Sequence, residues 1–84
     1  MKTLNELKAW MRECGYTWKE LSEDQLRYFM DSHRVFDKGK YEGKICKFTG
    51  KIYGLCDLRG DQHVGYLTEY KTSSGKKVFD QHRL

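Results

Sequence analysis

The sequence predicts an α+β fold, with two to three N-terminal helices packed on a three- to four-stranded antiparallel β-meander. Three observations carry that expectation. In the first third of the chain apolar residues recur three and four positions apart, the period of one helix face. From Gly43 to Phe79 the pattern changes to short alternating runs separated by tight, glycine-bearing turns, as strands require. Sequential hairpins of this kind build an antiparallel meander, and two or three helices cover only one face of it.

Composition sets the outer limits. The 84 residues are read as one domain, 1–84, with a helical part at 1–34, a hinge loop at 35–43 and the meander at 44–81. So short a chain buries only about 60–65% of its unfolded surface, so large side chains must do much of the covering. Two Trp, six Tyr and four Phe suit that task. Charged residues make up 33% of the chain but are mixed in sign, which does not imply disorder. No apolar run approaches the ~18 residues of a membrane span. Met1-Lys-Thr-Leu-Asn leads straight into an amphipathic pattern, without the apolar stretch of a signal peptide. A cytoplasmic location is expected, with Cys14, Cys46 and Cys56 as free thiols in a reducing compartment.

Taken in order, Thr3 to Gly15 is the first helix. Thr3 and Glu6 fit a capping box. Leu4, Leu7, Met11 and Cys14 form an apolar stripe with Trp10 beside it, and Gly15 supplies the left-handed terminus. Tyr16 to Met30 carries the capping signature twice, as Thr17/Glu20 with the staple Tyr16/Leu21, then as Ser22/Gln25 with Leu21/Leu26. This predicts a short helical turn around Trp18–Leu21 and a longer helix from Glu23 to about Arg34, its stripe formed by Leu26, Phe29, Met30 and His33. Arg34 to Gly43 has two glycines and no apolar period, so it reads as a loop. In the strand half, Cys46 and Phe48 lie on a first strand that turns at Thr49-Gly50. Lys51–Leu58 is the second strand, with Gly54 marking a bulge or a close neighbour. After a turn at Arg59-Gly60, His63–Lys71 is the third, with Val64, Tyr66, Thr68 and Tyr70 on one face. Ser73-Ser74-Gly75 turns into a last strand at Lys76–Asp80.

Charge is localised. Residues 1–33 are net −1, residues 34–51 net +4, and the remainder net +1. Arg34, Lys38, Lys40, Lys44, Lys47 and Lys51 supply the excess, interleaved with Phe36, Tyr41, Phe48 and Tyr53. Basic groups among aromatics suit a phosphate backbone with stacked bases. The plain alternative is a solvated lysine face that protects an edge strand. A winged-helix arrangement would place Glu23–Arg34 in the major groove, but Glu23, Asp24 and Asp31 on that helix repel phosphate.

Other chemistry is sparse. Cys46, Cys56, His63 and His82 are permissible zinc ligands, yet none has ligand-pair spacing, and neither a metal nor a cofactor is expected. No glycine-rich phosphate loop or nucleophilic serine setting occurs. Asp57 followed by Glu69-Tyr-Lys71 resembles the acid…acid-x-Lys set of PD-(D/E)xK nucleases, which implies two carboxylates on a divalent ion. The proline-acid start is missing, and a solvated strand face explains Glu69 and Lys71 better, so no enzyme activity is expected. Arg59-Gly60-Asp61 resembles the integrin-ligand tripeptide, although Gly and Asp are what a tight turn needs in any case.

The remaining expectation is a protein-binding module. Trp10, Trp18, Tyr16, Tyr28 and Tyr41 exceed what one small core needs, and Trp and Tyr anchor interfaces. Trp18, Glu20, Glu23, Asp24 and Tyr28 form the expected surface, its acids opposite in sign to the basic hinge. In size and make-up the chain resembles the small accessory proteins that viruses and mobile elements, phages among them, use against host machinery, which implies a host protein as partner. The second expectation is a nucleic-acid binder using the basic hinge and first hairpin.

Overall fold

The computed structural model describes residues 1–32, 38–59 and 62–83. Among these, the elements in order are β1 (Lys2–Thr3), α1 (Leu4–Cys14), β2 (Tyr16–Glu20), α2 (Glu23–Ser32), β3 (Lys38–Tyr41), β4 (Lys44–Asp57), β5 (His63–Lys71) and β6 (Lys77–Arg83). All strand pairs are antiparallel, in the order β1-β6-β5-β4-β2, with β3 also on β4. The expected three- to four-stranded meander under two to three helices is therefore corrected. Among the described residues there are two helices and six strands, and the sheet dominates. No helix among them is long and apolar enough to cross a membrane.

The helix signals hold where a cap is fully built. The Thr3 hydroxyl accepts the Glu6 N–H at 3.3 Å, and Glu6 Oε1 accepts the Thr3 N–H at 3.1 Å. The Thr3 N–H, and after it the Thr3 hydroxyl, hold the Glu6 carboxyl below its usual pKa. Gly15 ends α1 at φ +73°. Ser22 and Gln25 make the same reciprocal pair at the start of α2. The Thr17/Glu20 signature, by contrast, misleads. Tyr16, Thr17 and Trp18 are aromatic or β-branched, and such residues favour a pleated surface. They form β2, which pairs with Tyr53–Asp57 of β4.

Two expected loops are also corrected. Lys38–Tyr41 of the hinge forms β3, joined to β4 by a tight turn in which Glu42 (φ +51°) and Gly43 (φ +77°) are both left-handed, as a two-residue hairpin requires. The chain does not turn back at Thr49-Gly50. Lys44–Asp57 is one 14-residue strand. Its register against β5 passes from Phe48↔Tyr70 to Ile52↔Thr68, so three residues of β4 lie opposite Glu69 alone. Gly50, at φ +88°, absorbs the extra length as a bulge where a hairpin was expected. Gly54 does have a close neighbour, since a Cβ there would lie 2.9 Å from the His63 ring.

The two helices take opposite faces, not one. Leu7 and Met11 of α1 pack on Leu55, Leu67 and Phe79. Phe29 of α2 packs on Ile52 and Tyr66, with Leu21, Leu26 and Phe48 around them. Leu67 and Tyr66 are consecutive, and consecutive strand residues point to opposite faces. Val64 joins the α1 side because the register shifts between Leu55 and Cys56, so it does not share a face with Tyr66, Thr68 and Tyr70 as expected. Of the two expected stripes, Cys14 and Met30 are exposed, and His33 lies outside the described residues.

The sheet is rolled at one end. Met1 Sδ, beside β1, lies 3.6 Å from Cys46 Sγ on β4. Those strands stand three places apart, about 14 Å in a flat sheet. Tyr41 at the end of β3 likewise has Lys76 Nζ 5.7 Å from its ring centroid, just before β6. Both contacts close over the face that carries Cys46, Tyr70 and Val78. That face is concave, and the opposite face of the same strands is convex.

Candidate functional site

Strand register gathers lysines that the sequence scatters. Lys38 lies opposite Lys47, Lys47 opposite Lys71, and Lys71 opposite Lys77. Directly opposed residues share a face, so four lysines form one row across β3, β4, β5 and β6. Alternation sets them on the convex side, away from Cys46, Tyr70 and Val78. All four are exposed. Lys40 and Ile45, opposite each other, share this face, and Ile45 is 61% exposed. Among the described residues none of the four row lysines is in an ion pair. Like charges directly opposite destabilise a sheet. Edge protection accounts for lysines on β3, but not for Lys47 and Lys71, whose strands have neighbours on both sides.

Behind the row sits Glu69, on the same face and only 3% exposed. Thr49, in the β4 bulge, donates its hydroxyl to Glu69 Oε1 at 2.9 Å, and the Tyr53 hydroxyl lies 3.5 Å from Oε2. A buried carboxylate needs such donors. Burial, and then the Glu69 charge, push the Tyr53 phenol above its ordinary pKa.

The sequence-derived basic set is thus partly assembled. Lys38, Lys40 and Lys47 stand together, Lys44 points to the other face, Lys51 lies in the bulge, and Arg34 lies outside the described residues. Lys71 and Lys77 were missed as members. The turn at Ser73-Ser74-Gly75 held a signal for them, because hairpin closure around it sets Lys71 against Lys77. Of the interleaved aromatics only Tyr53, among the described residues, shares the lysine face, and its ring is stacked on Trp18. Tyr41 and Phe48 pack into the concave side against Cys46, Tyr70 and Val78, and Phe36 lies outside the described residues.

The expected protein-binding residues fall on different sides. Trp18 is half-buried, stacked on Tyr53 at 4.8 Å and 24° and 5.8 Å from Phe79, within the α1-side core. Glu20 ends β2 on that side. Glu23 and Asp24 occupy the exposed first turn of α2, and Tyr28, on the same helix, is 60% exposed. An open cleft of about 480 Å³ is lined by Asp24, Gln25, Tyr28, Phe29 and His63.

The nuclease-like set is not brought together. Glu69 binds inward to Thr49 and Tyr53, whereas Asp57 accepts the Arg59 N–H at 2.9 Å at the far end of β4. Ile52, beside Glu69's row, is five residues from Asp57, about 16 Å along the strand. Of the adhesion-like tripeptide, Arg59 is exposed, and Gly60 and Asp61 lie outside the described residues. Cys56 Sγ lies 3.8 Å from His63 Nδ1. The His82 Nε2 is 3.1 Å from the Thr68 hydroxyl and 3.8 Å from Asp80, its ring stacked on Tyr66. Among the described residues no three His, Cys, Asp or Glu side chains are grouped as a metal site. No protein-family model, curated protein or solved structure matches the chain.

Proposed function

We propose that the protein binds nucleic acid through the lysine face. One observation carries the reading: Lys38, Lys47, Lys71 and Lys77 are aligned across four strands and, among the described residues, none is in an ion pair, an arrangement of like charges that favours an anionic ligand. The protein-binding reading receives less support, because its residues divide between the two faces and Trp18 is engaged in packing.

Titration of labelled oligonucleotides against salt tests the proposal. With Lys38, Lys40, Lys47, Lys71 and Lys77 each meeting a phosphate, log affinity should fall with log salt at a slope of about −3.5 to −4.5. The double variant Lys47→Gln/Lys71→Gln should make that slope shallower by about 1.4 to 1.8. Binding indifferent to salt, or unchanged in the double variant, would refute the assignment.

A further inference from the structure

Resting on the lysine-face reading, we infer that the nucleic acid is double-stranded and is held by its phosphates, without base stacking and without sequence selection.

The placement of the rings argues first. A single-strand site combines basic groups with aromatic platforms on which unpaired bases stack. Here the rings near the lysines are committed elsewhere. Tyr41 and Phe48 alternate with Lys40 and Lys47, and so point to the concave side, where Phe48 packs at 5.8 Å on Tyr70. Tyr53 lies on the lysine side, but its ring is stacked on Trp18. The exposed apolar residue among the lysines is Ile45, an aliphatic side chain that offers no stacking surface.

Shape argues next. Because the sheet rolls over Cys46, Tyr70 and Val78, the lysines stand on a convex surface and fan outward. The row spans about 14 Å at the backbone and more at its outward-fanned tips, whereas the major groove of B-DNA is ~12 Å wide and is flanked by two rows of phosphate. Lysines spread over that distance reach the phosphates on both sides of the groove. A single strand presents no such fixed pair of phosphate rows.

Residue type decides the lack of selection. Base edges are read by forked donors and acceptors, above all Arg, Asn and Gln. In and beside the row the exposed residues are Lys38, Lys40, Lys47, Lys71, Lys77 and Ile45. Gln81 and Arg83 share this face of β6 but are set off from the row by Phe79, which lies under α1, and Gln81 Oε1 accepts from Lys2 Nζ at 3.4 Å. Lysine meets phosphate as a point charge without a preferred orientation.

The experiment measures binding of the full chain by fluorescence anisotropy. The probes are two duplexes of about 20 base pairs with unrelated sequences, and the matching single strands, at two salt concentrations. The two duplexes should agree within about threefold and bind about tenfold or more tighter than the single strands. Lys47→Gln/Lys71→Gln should weaken both duplexes alike. Lys38→Gln/Lys77→Gln, at the ends of the row, should do the same, with circular dichroism confirming that each variant is folded. Single strands binding as tightly as duplexes, or one duplex strongly preferred, would overturn this inference while leaving the lysine face intact if the variants still lose affinity. Absence of binding to every probe, or folded variants that bind like the parent, would overturn the lysine-face reading itself.

Discussion

Replacing Lys47 by Gln should stabilise the folded protein while weakening its hold on nucleic acid. Lys47 faces Lys38 on one side and Lys71 on the other. With side chains splayed to about 6 Å between ammonium groups, each pair repels by about 0.7 kcal/mol in unscreened water. Two pairs give about 1.4 kcal/mol, falling to about 1.1 at 10 mM salt and about 0.2 at 1 M as the screening length shortens. A gain of about 1 kcal/mol raises the midpoint of a domain this size by about 4–8 °C. Thermal melts of parent and variant, run from 10 mM to 1 M salt, should diverge at low salt and converge at high salt. A variant less stable than its parent at 10 mM, or a difference that ignores salt, would refute the idea that the row is electrostatically strained.

Two further outcomes are expected. Trp18→Ala removes a ring stacked on Tyr53 and packed near Phe79, so it should cost about 3 kcal/mol in urea unfolding; a change below about 0.5 kcal/mol, typical of surface sites, would place Trp18 outside the core. In alkaline titration Tyr53, Tyr66 and Tyr70 should ionise late, since burial is the main cause raising each phenol, with Glu69 adding at Tyr53 and Asp80 at Tyr66. The unfolded chain releases these protons near pH 10, so their contribution is whole below that value and is lost as pH rises through the folded-state values. Phenolate absorbance should therefore appear together with loss of the far-ultraviolet signal, and a single titration of every tyrosine near pH 10 in a folded protein would contradict this.

Local chemistry was legible in the sequence, and pairing was not. Thr3/Glu6 and Ser22/Gln25 were readable because a capping box is closed within four residues. Thr17/Glu20 has the same letters, yet β2 forms because Tyr53–Asp57 offers those residues a partner strand far along the chain. Thr49-Gly50 shows the same ambiguity: a left-handed glycine serves a hairpin or a bulge equally, and only the partner, Glu69 on β5, decides. The candidate site followed suit. A charge run revealed Lys38, Lys40 and Lys47, whereas Lys71 and Lys77 join them only through register. Alternation then separates the lysines from Tyr41 and Phe48, which composition had grouped with them, and leaves Tyr53 on their side.

The pairing of β1 with β6 sets Lys2 against Phe79, and Leu7 of the first helix packs on the same Phe79. In folding, β1 and α1 must wait for a strand more than 70 residues further along before Phe79 can be covered. Until then the apolar stripe of Leu7, Met11 and Trp10 lacks part of the sheet that covers it. Such widely separated contacts close slowly, because the intervening chain must be ordered before they can form. The α1 side of the fold is therefore completed only when β6 is in place, and not helix by helix.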